Sequence, residues 1–359
     1  MSRVGELGER ELLRRILERL PAAPEGELWA GDDAAVITAG STRFVLTIDT
    51  LTDKLDFDLA RGVGGGDGSG GGDGSGGGDG SGGGDGSGGA GKDAGWKAMA
   101  ANVSDIAAMG ATPRHAVVSL SLPKQTAVAV ADDIAAGLAE AAARWRVGLA
   151  GGDVGAASEV SITIALTGEV GIHGPVLRSG AAVDHALCVT GCLGGAAAGL
   201  RSLQTSTVTE PPAHEKRLRT RQLRPQARSE AGLALAGVAS AMIDVSDGLA
   251  VDLSNLLDAS GAGCVVDAEE VPIDPDLLVL AAEPQWEGLD PLLLALTGGE
   301  DYELLFALDE ADLGSAGAAL RELGVRMTRI GTVVADGRRV GTDDLDHFRS
   351  MGWQHLQDR

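Results

Sequence analysis

Along this chain, stretches with apolar residues at i, i+3 and i+4 take turns with short apolar runs, so helices and strands interleave. Residues 5–20 carry the helical spacing and stop at Pro21 and Pro24. GDDAAVI (31–37) reads as a turn entering a strand, and Phe44–Ile48 as a short strand running into Asp49. Gly95–Ala111 (GWKAMAANVSDIAAMGA) places Trp96, Met99, Val103, Ile106 and Ala107 on one arc of a helix. Ala116–Leu122 is a strand closed by Pro123, and residues 126–146 form an Ala-rich helix. Leu149–Asp153 reads as a glycine turn with an acid at its tip, and Val160–Val170 as an alternating strand.

A linker with Gly174, Pro175, Arg178 and Gly180 follows, and the order then repeats. A strand over Ala186–Thr190 leads through a glycine turn into a helix, and a polar, charge-rich segment spans 204–226. A helix over 229–239 precedes Ile243-Asp-Val-Ser-Asp-Gly-Leu249, which opens another helix before the strand Cys264–Asp267. The turn Thr297–Asp301, a strand to Leu308, a helix over 310–323 and closing strands complete the chain. This predicts α/β and α+β architecture in two domains, residues 1–175 and 176–359, as the length of 359 residues also suggests.

Residues 64–87 are four copies of GGGDGS. With no apolar residue to bury, the run is expected to be a flexible loop, the centre of a disordered Gly-rich insertion over 62–92. A calcium-binding β-roll would need a large apolar residue in each repeat. GSGGAGKD (86–93) nearly matches a phosphate-binding loop, but the glycine repeat makes the match almost automatic. No strand precedes it, and Asp93 stands where the metal-binding hydroxyl belongs.

Apolar residues make up 44% of the chain and aromatics 3%, so the cores are built from Ala, Val, Leu and Ile. The net charge of −23 owes only four of its units to the repeat and argues against a nucleic-acid binder. It leaves a nucleotide ligand open, because metal ions bridge acids to phosphates. Cys188, Cys192 and Cys264 form neither a paired framework nor a CxxC site, which fits a reducing compartment. The first residues read as a charged amphipathic helix and no run approaches membrane-spanning length, so a soluble cytoplasmic protein is expected.

Candidate chemistry comes from acids at strand ends and glycine turns: Asp32, Asp33, Asp49, Asp153, Asp244, Asp247, Glu300 and Asp301. Singly each is an ordinary turn former or cap. Asp105 differs, because it sits with Asn102 among Ala98, Ala101 and Ala108 and has no basic residue three or four positions away. A tightly packed helix tolerating one acid is the plain alternative. Several carboxylates converging without Lys or Arg repel unless a hard divalent cation neutralises them, which points to metal-assisted phosphoryl transfer.

GDDAAV (31–36), TIDTL (47–51), GWKAMAANVSDIAAMGATP (95–113), GGD (151–153), RSGA (178–181), VTG (189–191), IDVSDGLAVDL (243–253) and GGEDYEL (298–304) together resemble thiamine-monophosphate kinase. That family belongs to the superfamily of aminoimidazole ribonucleotide synthetase. The resemblance implies an N-terminal α/β domain that dimerises and a C-terminal α+β domain. It also implies transfer of the ATP γ-phosphate onto thiamine monophosphate with several Mg²⁺ ions, giving thiamine diphosphate. Carried over, it makes Asp33, Thr47, Asp49, Asp105, Asp153, Asp244 and Asp247 metal ligands, and Gly152, Asp153, Arg178 and Ser246 ATP contacts. Glu300, Trp353 and the position of Asp56 would face thiamine monophosphate. The chain departs from the family at Asp56, where a histidine precedes the Phe, and in the repeat, which fills a much shorter join. The resemblance leaves room for another ATP-dependent enzyme of the superfamily, or for a non-catalytic binding paralogue. Selenophosphate synthetases carry a reactive Cys or selenocysteine near the N-terminus, whereas the first cysteine here is Cys188.

Overall fold

The structure, a computed structural model, describes residues 9–59, 89–205 and 210–352. The insertion up to residue 88 and Trp353 therefore lie outside the described residues. After α1 (Glu9–Leu17) come β1 (Ala35–Ala39), β2 (Thr42–Thr52), α2 (Ala90–Ala108), β3 (Ala111–Leu122), α3 (Val128–Trp145), β4 (Gly148–Ala156) and β5 (Ser161–Val170). Their five strands form one sheet in the order β1-β2-β5-β3-β4, antiparallel except for the β3–β4 pair.

The second half continues with β6 (Ala186–Thr190), α4 (Gly195–Thr205), α5 (Ala213–Leu223), α6 (Ser229–Leu235), β7 (Ala241–Val245) and α7 (Leu249–Ser260). Next are β8 (Gly263–Val266), α8 (Pro275–Ala281), α9 (Pro291–Thr297), β9 (Glu303–Leu308), α10 (Leu313–Glu322), β10 (Met327–Val334), β11 (Arg338–Val340), β12 (Asp343–Asp344) and α11 (Leu345–Arg349). The seven strands order as β12-β11-β8-β10-β6-β9-β7, with β6, β7 and β9 buried along their whole length. Such strands read as unbroken apolar runs (ALCVT, ELLFAL) rather than as alternation.

Helix α2 is the shared element. Its middle packs with Ile162, Ile164 and Leu166 of the first sheet, while Ala107 and Ala108 join Met242 and Phe306 of the second. Between residues 93 and 108 every residue is buried except Asp105. The one-sided helix expected from the spacing is thus buried on all sides, which small residues permit. It also starts five residues earlier than expected, at Ala90, because Gly91 and Gly95 let α3 approach. A Cβ on Gly95 would lie 2.2 Å from the Ile134 carbonyl oxygen, and one on Gly137 of α3 would lie 1.9 Å from that of Lys92. The near phosphate-loop match is accordingly the first turn of a helix, where Lys92 pairs with Glu140 at 2.5 Å.

The expected glycine turn at 149–153 is instead part of β4, an edge strand exposed throughout and pairing with β3. Its glycines admit the neighbouring backbone. A Cβ on Gly152 would stand 1.9 Å from the Val118 carbonyl oxygen.

Candidate active site

Three segments of the chain deliver acids to the half-buried Asp105 of α2. Strand β2 presents Thr47 and Asp49 on one face, two residues apart. The turn before β1 brings Asp33, and the end of strand β7 brings Asp244, itself 2% exposed. Carboxylate oxygens of Asp33, Asp105 and Asp244 all lie within 4.8 Å of one another.

Neutral donors and one arginine fix this cluster. Thr47 Oγ1 donates to Asp105 Oδ2, and Ser104 Oγ donates to Asp244 Oδ2 at 2.6 Å. The Asp49 amide donates to Asn102 Oδ1 at 3.2 Å, so the small polar residues flanking Asp105 tie the helix to β2 and β7. Arg178 Nη2 and Nε reach Asp33 Oδ1 at 2.6 and 3.2 Å, and the Arg178 amide donates to Asp32 Oδ2 at 3.0 Å. Burial, followed by the charges of Asp49, Asp244 and Asp33, holds the Asp105 carboxyl well above the usual range. Burial and then Asp33 push Asp244 up to about 8. Burial also raises Asp33, against the pull of Arg178.

Such a cluster favours protons or a hard cation over empty space. Asp33 Oδ2 is buried and has no hydrogen-bond partner, as a ligand oxygen aimed at a cation would be. The donor set is all oxygen, which suits Mg²⁺.

A second loop lies alongside. Asp252 Oδ2 accepts from the amides of Ser246, Asp247 and Gly248, each at 3.1 Å, and so holds the turn that carries Ser246 and Asp247. The GGED turn packs onto it: a Cβ on Gly299 would meet the Ser246 carbonyl oxygen at 2.3 Å. The Glu300 and Tyr302 amides donate to the Ser246 and Val245 carbonyls at 2.7 and 2.9 Å. Glu300 and Tyr302 adopt φ of 70° and 49°, left-handed conformations that non-glycine residues take only when their surroundings impose them. Asp301 caps the start of α4 through the Gly194 and Ala196 amides at 2.7 and 3.1 Å.

The residue that departs from the resemblance, Asp56, turns one carboxylate oxygen back to its own loop, where the Thr52 amide donates to Oδ2 at 2.7 Å. Gly152 and Asp153 stand apart on exposed β4, with Asp153 in register with Ser119, and do not join the three-acid cluster. Sequence reasoning missed Lys97, Asp252 and Gln222. The first two sit inside quoted motifs, Lys97 in the Ala-rich first half of α2 and Asp252 in the first turn of α7, and a charged residue among small or apolar neighbours was the available signal.

The AIR synthase related protein N-terminal domain matches residues 81–170, and the AIR synthase related protein C-terminal domain matches residues 182–344. The thiamine-monophosphate kinase of Rhodopirellula baltica is 36% identical over 269 residues, 73% of this chain and 76% of that protein. The thiamine-monophosphate kinase of Mycobacterium tuberculosis H37Rv is 32% identical over 350 residues, 97% and 92% of the two chains. The chain belongs to the thiamine-monophosphate kinase family. Among solved structures, AaThiL complexed with AMPPCP and TMP superposes on this family member with a TM-score of 0.82. The two are 28% identical, and the match covers 99% of each chain. The resemblance read from the motifs and the two-domain α/β and α+β class both stand.

Proposed function

We propose that the chain transfers the γ-phosphate of ATP directly to thiamine monophosphate, giving thiamine diphosphate. Family membership supports the reaction, and the observation that carries it to this site is the convergence of Asp33, Asp105 and Asp244 around the unpartnered Asp33 Oδ2. Asp33, Thr47, Asp49, Asp105, Asp244 and Asp247 would hold Mg²⁺; Asp153, which the resemblance adds to this set, lies apart from them on β4. The bound metal would supply charge neutralisation for the phosphates, which is most of what phosphoryl transfer requires.

The chain's own residues would do the rest. Arg178, Ser246, Asp153 and the bare backbone at Gly152 would position ATP. Asp56, Glu300 and Trp353 would position the thiamine end. The nucleophile is a phosphate oxygen that is anionic at neutral pH, so no general base is needed and the work is alignment.

The reading includes a homodimer. The outer side and β4 edge of the first sheet leave Ile48 at 64% and Val154 at 72% exposed, with Val117 and Leu149 beside them, a self-complementary surface for a second copy. Residues 1–175 and 176–359 form its two domains, and three free cysteines agree with the cytoplasm. No described helix is long and apolar enough to cross a membrane.

Purified protein with ATP, Mg²⁺ and thiamine monophosphate should yield thiamine diphosphate. Absence of product at saturating substrate, with ATP still bound, would overturn the reaction. Light scattering at micromolar concentration should give twice the chain mass, and a monomer mass would remove the dimer.

A further inference from the structure

Lys97 is among the largest side chains with almost no exposure, at 2%, and it sits two turns before Asp105 on α2. A buried lysine needs partners for its charge, and the partners name its task. Nζ donates to the Asp56 carbonyl oxygen at 2.7 Å and pairs with Glu300 Oε1 at 2.5 Å. The other Glu300 oxygen accepts from Gln222 Nε2 of α5, also at 2.5 Å, and Gln222 is itself 3% exposed. Both oxygens of Glu300 are therefore held from opposite sides, one by each half of the molecule. Glu300 remains 26% exposed, so its carboxylate is fixed without being sealed off.

We infer that Lys97 is the positioning residue of the substrate end of the site: it sets the Glu300 carboxylate and the Asp56 loop in one arrangement that accepts the thiamine moiety. The inference rests on the proposed reaction and deepens it. Four observations converge. The ammonium joins two segments from different halves of the chain. Both segments carry residues assigned to the substrate. Glu300 stands in a left-handed conformation that needs outside support. Finally, Lys97 shares a rigid helix with Asp105, so the substrate end and the acid cluster are registered to each other. Aliphatic packing alone would not require the charge, and a surface ion pair would not be buried at this depth.

The charge-assisted bond predicts a split between the two substrates. Lys97→Met keeps the length and loses the charge. KM for thiamine monophosphate should rise about 10- to 100-fold while KM for ATP stays within about twofold. Lys97→Arg should recover a large part of the loss, and Lys97→Met combined with Glu300→Gln should be little worse than either alone. Equal rises in both KM values, or additive effects in the double variant, would make Lys97 a general structural residue and overturn the inference. Calorimetric binding of thiamine monophosphate in the presence of a non-hydrolysable ATP analogue separates the two claims. A wild-type chain that binds without turnover refutes the reaction but still tests Lys97 through the variant's affinity, and a wild-type chain that binds no thiamine monophosphate refutes both.

Discussion

Replacing Asp244 by Asn should make the metal-free protein more stable and the metal-dependent protein useless, and the size of the first effect follows from the burial of one carboxyl. Asp244 is 2% exposed and its pKa stands at about 8 instead of 3.8, through burial first and the charge of Asp33 second. The unfolded chain releases this proton near pH 4 and the folded chain near pH 8. Stability is therefore full below pH 4 and is lost as the pH rises through that window, by up to about 1.4 kcal/mol per pH unit. Between pH 5 and 7 the wild type should lose roughly 2–3 kcal/mol relative to Asp244→Asn, or on the order of 3–4 °C in melting temperature for a chain of this length. The Asn oxygen can still accept from Ser104 Oγ, so the fold keeps that bond. Melting curves at pH 5, 6, 7 and 8 in chelator would show the gap opening with pH. Adding Mg²⁺ at about 100 times its dissociation constant should return about 2.7 kcal/mol to the wild type and far less to the variant. Parallel pH profiles for the two proteins in chelator, or equal shifts with Mg²⁺, would refute the account of the cluster.

Two further outcomes are expected. Gly137→Ala should destabilise the chain by about 2 kcal/mol or more despite the better helix propensity of Ala, because its Cβ would lie 1.9 Å from the Lys92 carbonyl oxygen and must push α2 and α3 apart; urea denaturation checks the sign, and unchanged stability would contradict the helix contact. Asp252→Ala strips the acceptor from three amides and should raise KM for ATP about tenfold or more through the freed Ser246–Gly248 turn, whereas Asp252→Asn keeps an acceptor oxygen and should lose less; steady-state kinetics with varied ATP decide it.

What the sequence made legible was what local chemistry can mark. Asp105 stood out because an acid on an Ala-lined helix has no local use, and Asp33, Asp49 and Asp244 because strand ends collect functional side chains. The interleaved strands and helices were readable from their periods. Helix α2 hid its second buried face, since a helix packed all round has no amphipathic signal. Strand β4 read as a turn, because its four glycines and Asp153 carry turn propensity, and only pairing with β3 extends them. Lys97, Gln222 and Asp252 look like surface residues of their helices. Their partners lie in other segments, and no window of sequence contains both ends of such a contact.

The clamp of Gly91, Gly95 and Gly137 has a consequence for how long the preceding chain can be. It fixes the first turn of α2 against α3, about 21 Å along the axis from Asp105 at the rise of a helix. Whatever joins β2 to Gly89 ends on that anchored turn, so residues added to or removed from the join need not move the acid at the far end. The position ahead of Gly89 is thereby a tolerant splice point. A peptide tag or a reporter domain introduced there would leave Asp105 in place at the far end of α2, whereas the same cargo in the turn between β7 and α7 would displace the ligands directly.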